Sequence, residues 1–360
     1  YKLKYQRVIN YSVNTNYMWN LLDSTRQGRS HVKQETPCQD KTYCQSYDDV
    51  YVITLADGAG SARLSHYGAE CVTKCIANEL GWNFESYWAE TEGRIAKERL
   101  FQEISGSLQQ IAERHNCQLK DLASTLLAVA VKDERYIILH LGDGVIGYSK
   151  EGLLKVASVP NNGEFANTTI FTTSSDACSQ MKVFRGLLNG INGFVLMSDG
   201  PESCLYDKKS NELANGLLQI LEDASGEDLK EVTEGIEEAM DTVITKHTLD
   251  DCSLAFMVKR QEKPEPEETS SIYTDDKDTD ETDTINQNTE RTDETEVTDE
   301  SEDMGETEGT DDKKNSKSRR YSEDMGETEG TDDKKNSKSR RYLAVIVFVV
   351  LLLLLIIAFV

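Results

Sequence analysis

Two periods divide the apolar positions of residues 1–260. Runs at 51–56, 125–131, 136–141, 194–197 and 253–258 have the length and β-branched content of strands. Longer stretches repeat at steps of three and four. Ala69, Val72, Ile76 and Leu80 form one such series, Phe101, Ile104, Leu108 and Ile111 a second, and Leu229, Val232, Ile236, Met240 and Val243 a third. Each predicts an amphipathic helix with one face to bury. Strands follow one another through short turns between 122 and 198, and the helices fall in two clusters. That order predicts an α+β fold of antiparallel sheets covered by helices, not a strictly alternating parallel fold.

The pattern stops at residue 261. Residues 261–342 hold 28 acidic and 13 basic side chains but only eight apolar ones among 82, too few to offset the entropy of ordering them. They read as a disordered acidic linker. Residues 301–321 recur unchanged at 322–342, and a repeat this polar has no apolar face to stack, so it is a tether and not a solenoid unit. The Asp-rich run 275–283 lacks the Gly and terminal Glu of an EF-hand and reads as solvated. Residues 343–360 then carry no polar or charged group over 18 positions. As a helix they would span about 27 Å, close to the bilayer hydrocarbon core, which predicts a transmembrane segment. Lys334, Lys335, Lys338, Arg340 and Arg341 precede it, and positive charge marks the cytoplasmic side. The sequence opens on Tyr1 without a signal-peptide pattern.

Net charge is −25, of which −10 falls on residues 1–260, a balance that excludes a basic, phosphate-tracking nucleic-acid binder. The eight cysteines all lie in that part without paired spacing and read as reduced, small apolar side chains. Cys71 and Cys75, four apart on a predicted helix, suggest shared burial and not a metal site. One folded unit over 1–260 is the expectation, followed by the linker 261–342 and the membrane helix 343–360.

Four acidic motifs carry the candidate chemistry. Gln39-Asp40 follows Gly28-Arg-Ser-His31 and Pro37-Cys38, and Ala56-Asp57-Gly58-Ala59-Gly60 follows a strand-like run. Met197-Ser-Asp199-Gly200 ends another such run, and Asp250-Asp251-Cys252-Ser253 opens a third. Each alone is most often a turn in which Asp bonds its own backbone. Together, strands that deliver carboxylates at their ends would gather charges that repel unless hard divalent cations, Mg²⁺ or Mn²⁺, lie between them. Two such ions sharing one Asp would acidify a bridging water and hold it in line with a phosphorus atom, giving hydrolysis without a protein nucleophile.

In their order, GRSHVKQETPCQD, ADGAGSA, LASTLL, LGDG, LMSDG and DDCS resemble the bacterial branch of the protein phosphatase 2C family over residues 18–259. The resemblance implies a four-layer α-β-β-α sandwich and Mn²⁺- or Mg²⁺-dependent hydrolysis of phosphoserine and phosphothreonine in proteins. It implies that Asp57 bridges two metals with the Gly58 carbonyl on one, that Asp199 and Asp250 hold the other, and that Asp40 supports the site from the first strand. Asp143 matches a position tied to a third, looser metal, with a hairpin turn between 136–141 and 145–148 as the equal alternative. Ser124 and Thr125 match a small-residue strand start that serves packing. Three positions depart from the family pattern. Glu35 stands five residues before Asp40, where many members carry a phosphate-gripping Arg, so His31, Lys33 or Arg63 would have to substitute, although a His beside a turn is more often a structural hydrogen-bonder. Ala59 replaces a His that in some members protonates the leaving oxygen. Ser203 replaces an acid that serves the loose metal.

The expectation is a membrane-tethered, metal-dependent serine/threonine phosphatase with a monomeric, cytoplasmic catalytic domain acting on phosphorylated proteins. The rival is a pseudophosphatase that keeps the fold to bind phosphoproteins. The missing Arg favours the rival; the intact acidic set opposes it.

Overall fold

The strand-like runs become the central strands of two sheets, and the series at steps of three and four become the helices that cover them. The computed structural model describes residues 18–160 and 169–261. In chain order, β1 (Trp19–Arg26), α1 (Arg29–Gln34), β2 (Lys41–Tyr47) and β3 (Val50–Ala56) precede the long helices α2 (Ser65–Ala89) and α3 (Gly93–His115). After a 3-10 turn at Leu119–Leu122 come β4 (Leu126–Lys132), β5 (Arg135–Leu141), β6 (Val145–Lys150) and β7 (Leu153–Ser158). Then follow α4 (Ala177–Gln180), β8 (Lys182–Leu187), β9 (Ile191–Met197), α5 (Asp199–Leu205), β10 (Tyr206–Asp207) and β11 (Glu212–Leu213). The last elements are α6 (Asn215–Asp223), α7 (Lys230–Ala239) with a π-turn at Met240–Ile244, α8 (Thr245–His247) and β12 (Cys252–Lys259).

One five-stranded sheet runs β1-β12-β9-β6-β7 and the other β2-β3-β4-β5-β8, with β10 and β11 a separate ribbon. Among the described residues every strand pair is antiparallel. The period of two decides what each strand touches. Ile53, Leu55, Leu127 and Val129 turn into the layer between the sheets, where they meet Leu196, Phe194, Ala255 and Met257. Val52, Ala56, Leu126, Ala128 and Ala130 turn the other way, onto Ala69, Val72, Ile76 and Leu80 of α2 and Leu100, Ile104 and Leu108 of α3. Strands covered on both faces need apolar residues at nearly every position, which is why 126–131 reads LLAVAV. On the outer face of the first sheet, Val195, Met197, Leu254 and Phe256 pack on Leu217, Val232, Ile236 and Met240. The result is two antiparallel sheets flanked by helices, as expected. Each fully buried side chain of this kind contributes about 1.5–3 kcal/mol relative to exposure.

Several expectations change in detail. The buried stripe of α3 is Ala96, Leu100, Ile104, Leu108 and Ala112, with Phe101 and Ile111 half-buried at its border. β5 and β6 do not form a hairpin, because they belong to different sheets and Gly142-Asp143-Gly144 carries the chain across. Gly142 makes that crossing with φ +115, where a Cβ would also lie 2.5 Å from the Thr125 side chain. The edge strands β1, β2, β7 and β8 lack the dense apolar signal and are not among the expected strands. The eight cysteines are free, Cys204 and Cys252 buried and the rest half-buried. The linker, its repeat and the apolar run 343–360 lie outside the described residues. Among the described residues no helix is long and apolar enough to cross a membrane.

Candidate active site

Strand register gathers the acidic motifs at one end of the sandwich. Lys41 pairs with Ala56, so Asp40 and Asp57 are neighbours just beyond the paired ends of β2 and β3. Met197 pairs with both Leu254 and Val145, which brings Ser198-Asp199, the Asp250-Asp251 loop and Asp143 together at the matching end of the other sheet. Gly200 lets the start of α5 press on β12: a Cβ there would stand 1.9 Å from the Asp251 carbonyl oxygen.

Hydrogen bonds hold the carriers of these acids in place. Thr125 Oγ1 accepts the Asp57 N–H at 2.8 Å, and the Thr125 N–H donates to the Asp57 carbonyl at 2.8 Å. The Gly58 N–H donates to the Gln39 carbonyl at 3.2 Å. Ser198 ties the two sheets, its Oγ donating to Asp40 Oδ2 at 2.7 Å and accepting the Ser253 N–H at 3.0 Å. Thr169 Oγ1 donates to Asp143 Oδ2 at 2.6 Å.

The electrostatics follow from gathering carboxylates in a place shielded from water. Burial pushes Asp40 up to about 6, with the Ser198 hydrogen bond opposing and the charge of Asp251 adding. Burial and the charges of Asp40 and Asp199 hold Asp57 well above the ordinary carboxylate range. Asp199 is raised to about 7 by burial, then by Asp143 and Asp250. Asp250 itself is exposed on the loop before β12.

This donor set suits a hard divalent cation. Asp40 Oδ1 and Asp143 Oδ1 are buried without a hydrogen-bond partner, and oxygen donors that repel one another are what Mg²⁺ or Mn²⁺ would bring into contact. Among the described residues no three His, Cys, Asp or Glu side chains are already closed around one point. Ions of this kind retain several waters and do not need a closed protein cage. Burial pushes Cys38 up to about 12 and raises Cys252 and Cys204 as well, away from the thiolate form.

The family model described as protein phosphatase 2C matches residues 27–238, more than half of the chain. The chain belongs to this family. Protein phosphatase 2C chains are serine/threonine protein phosphatases that use Mn²⁺ or Mg²⁺, and this one is a serine/threonine protein phosphatase by descent. Serine/threonine-protein phosphatase 3 of Escherichia coli (strain K12) is 28% identical over 180 residues, covering 46% of this chain and 67% of that protein. Solved structures with a similar fold include the catalytic domain of the serine threonine protein phosphatase PstP in complex with two manganese ions, at 15% identity and TM-score 0.48 over 68% of this chain and 100% of that one. Another is the serine/threonine phosphatase Stp1 from Staphylococcus aureus, at 15% identity and TM-score 0.47 over 67% of this chain and 95% of that one.

Within the 2C framework the departures from pattern acquire positions. Glu35 is exposed and ends α1 with φ 55, so it terminates a helix. Arg63 is exposed in the turn between Gly60 and α2. His31 lies on α1 with its Nδ1 2.9 Å from Asp251 Oδ1. Asp40 precedes β2, the second strand and not the first. Two groups went unnoticed in the sequence. Lys41, beside the basin, turns its Nζ to the carbonyls of Cys38 and Asp40 at 2.7 and 3.1 Å. Glu202, one helical turn after Asp199, is 5% exposed. Its Oε2 meets Lys208 Nζ at 2.9 Å and its Oε1 lacks a partner. Burial raises it, and the charge of Asp143 adds to that. The i, i+3 step from Asp199 is the signal the sequence offers for it.

Proposed function

We propose that this basin hydrolyses phosphoserine and phosphothreonine esters of proteins with Mn²⁺ or Mg²⁺ held by Asp57, Asp199 and Asp250, the Gly58 carbonyl beside Asp57, and Asp143 at a looser position. The observation that carries the reading is the convergence of Asp40, Asp57, Asp143 and Asp199, where burial raises Asp40, Asp57 and Asp199 and the neighbouring carboxylates raise Asp57 and Asp199 further. When bound, the two ions supply charge neutralisation and an acidified water for in-line attack on phosphorus. Thr125 bonds both the N–H and the carbonyl of Asp57, so the backbone that carries this carboxylate is fixed. Asp40, bonded to Ser198, supplies negative charge behind Asp57. Thr169 orients one oxygen of Asp143 and leaves the other for a cation. His31 and Arg63 are the side chains we assign to the substrate phosphate, since Lys41 is committed to backbone carbonyls.

The same reading places the enzyme on a membrane through residues 343–360, supported by their 18 apolar positions and the basic residues before them. The domain then faces the cytoplasm, with the acidic linker as its tether. Mn²⁺-dependent phosphate release from a phosphothreonine peptide by the purified full chain tests the chemistry. Phosphopeptide binding without turnover would instead indicate a pseudophosphatase. Recovery of the full chain, but not of one ending at residue 342, in the carbonate-washed membrane fraction tests the anchor.

A further inference from the structure

The two acids before β12 have separate surroundings. Asp250 is exposed, whereas Asp251 is 1% exposed and both of its oxygens are committed. Oδ1 accepts the Gly28 N–H at 2.6 Å and Oδ2 accepts the Gln39 N–H at 2.5 Å, across 223 and 212 residues of sequence. His31 Nδ1 approaches Oδ1 to 2.9 Å, off the line of a hydrogen bond. Gln39 extends the link: its carbonyl accepts the Gly58 N–H at 3.2 Å, and its Nε2 donates to the Ala62 carbonyl at 3.4 Å. A continuous path therefore runs from the strand that follows Asp250, through Asp251 and Gln39, to the residue after Asp57 in the other sheet. Charge-assisted bonds of this kind are about twice as strong as neutral ones.

A charge at this place is unfavourable to its neighbour, because Asp251 lies close enough to Asp40 to disfavour a second carboxylate. An amide would remove that repulsion. It would also present an N–H₂ donor to one of two backbone N–H groups, because Asn has a single acceptor atom where Asp has two. With one N–H on each oxygen, as here, a carboxylate satisfies both segments and an amide in the same place satisfies one.

We propose that Asp251 is a positioning residue of the phosphatase: it clamps Gly28 and Gln39 to the start of β12 and so sets the spacing of Asp40 and Asp57 against Asp250. The inference rests on the reading of the basin as the metal-holding site. Its experiment is Asp251→Asn in the full chain, followed by thermal unfolding in EDTA, calorimetric Mn²⁺ binding and turnover of a phosphothreonine peptide. The variant should remain folded while Mn²⁺ affinity and kcat each fall about 10-fold or more, the loss expected for one charged hydrogen bond. Wild-type affinity and turnover in a folded variant would overturn the assignment. Should Asp251→Asn fail to fold, Asp251→Glu decides, since it keeps the charge and both acceptors but displaces them. A folded Glu variant with weakened Mn²⁺ binding supports positioning; wild-type behaviour, or failure of both variants to fold, overturns it. Absence of Mn²⁺-dependent turnover in the wild type would refute the metal-site reading itself, a result distinguishable from an active wild type with an equally active variant.

Discussion

Asp40→Asn isolates the electrostatics of the basin. Asp40 is 1% exposed, and its carboxyl is raised from 3.8 to about 6, by burial first. The Asn side chain keeps the shape and the acceptor for Ser198 Oγ, which bonds Asp40 Oδ2 at 2.7 Å, but carries no charge. Because the folded value lies above the unfolded one, the native protein binds more protons than the unfolded chain between them. Stability from this group is therefore present at low pH and lost as pH rises through about 4 to 6. A shift of two units corresponds to about 3 kcal/mol. Metal-free Asp40→Asn should exceed the wild type by up to ~3 kcal/mol at pH 8, by roughly half of that near pH 5 and by little at pH 4. For a domain of this size the upper limit amounts to about 6–12 °C in Tm. Mn²⁺ should narrow the gap, since the wild type would gain about 2.7 kcal/mol at 100 times its Kd and the variant less, with turnover reduced. Urea unfolding followed by circular dichroism in EDTA at the three pH values, then with Mn²⁺, measures both halves. A variant less stable than the wild type in EDTA at pH 8 would refute the reasoning, because the Asp40 charge would then be favoured by the fold.

Asp57→Asn should remain folded and lose at least ~100-fold in turnover by withdrawing charge from both ions; near-normal phosphate release at saturating Mn²⁺ would contradict its bridging role. Asp143→Ala should keep tight Mn²⁺ binding in calorimetry while turnover falls roughly 10-fold, and loss of the tight binding would contradict a separate, looser position. Gly200→Ala places a Cβ 1.9 Å from the Asp251 carbonyl oxygen and should destabilise the protein by about 1–3 kcal/mol through overpacking. An unchanged melting curve would show that α5 and β12 are not pressed together as described.

The central strands and long helices were legible in the sequence because each buries a face whose period, two or 3.6, is written in its own residues. Ile53 and Leu55 or Val72 and Ile76 declare their burial without knowledge of any partner. The Asp-Gly motifs were legible for a related reason: each sits at the end of such a strand. The phase of α3 was not, because Phe101 and Ile111 are as apolar as Leu100 and Leu108, and only packing against α2 chooses between them. Nor could the sequence tell that β5 and β6 enter different sheets, since a Gly-Asp-Gly turn serves a hairpin and a crossover alike. The division of Asp250 from Asp251 is the sharpest case. Two identical side chains stand side by side, one exposed and the other buried against N–H groups 223 and 212 residues away. Residue type and local period determined where burial and charge would lie. Which carboxylate would stay exposed and which would accept backbone N–H groups from across the fold was decided by contacts between distant segments, and those exist only once the two sheets have packed.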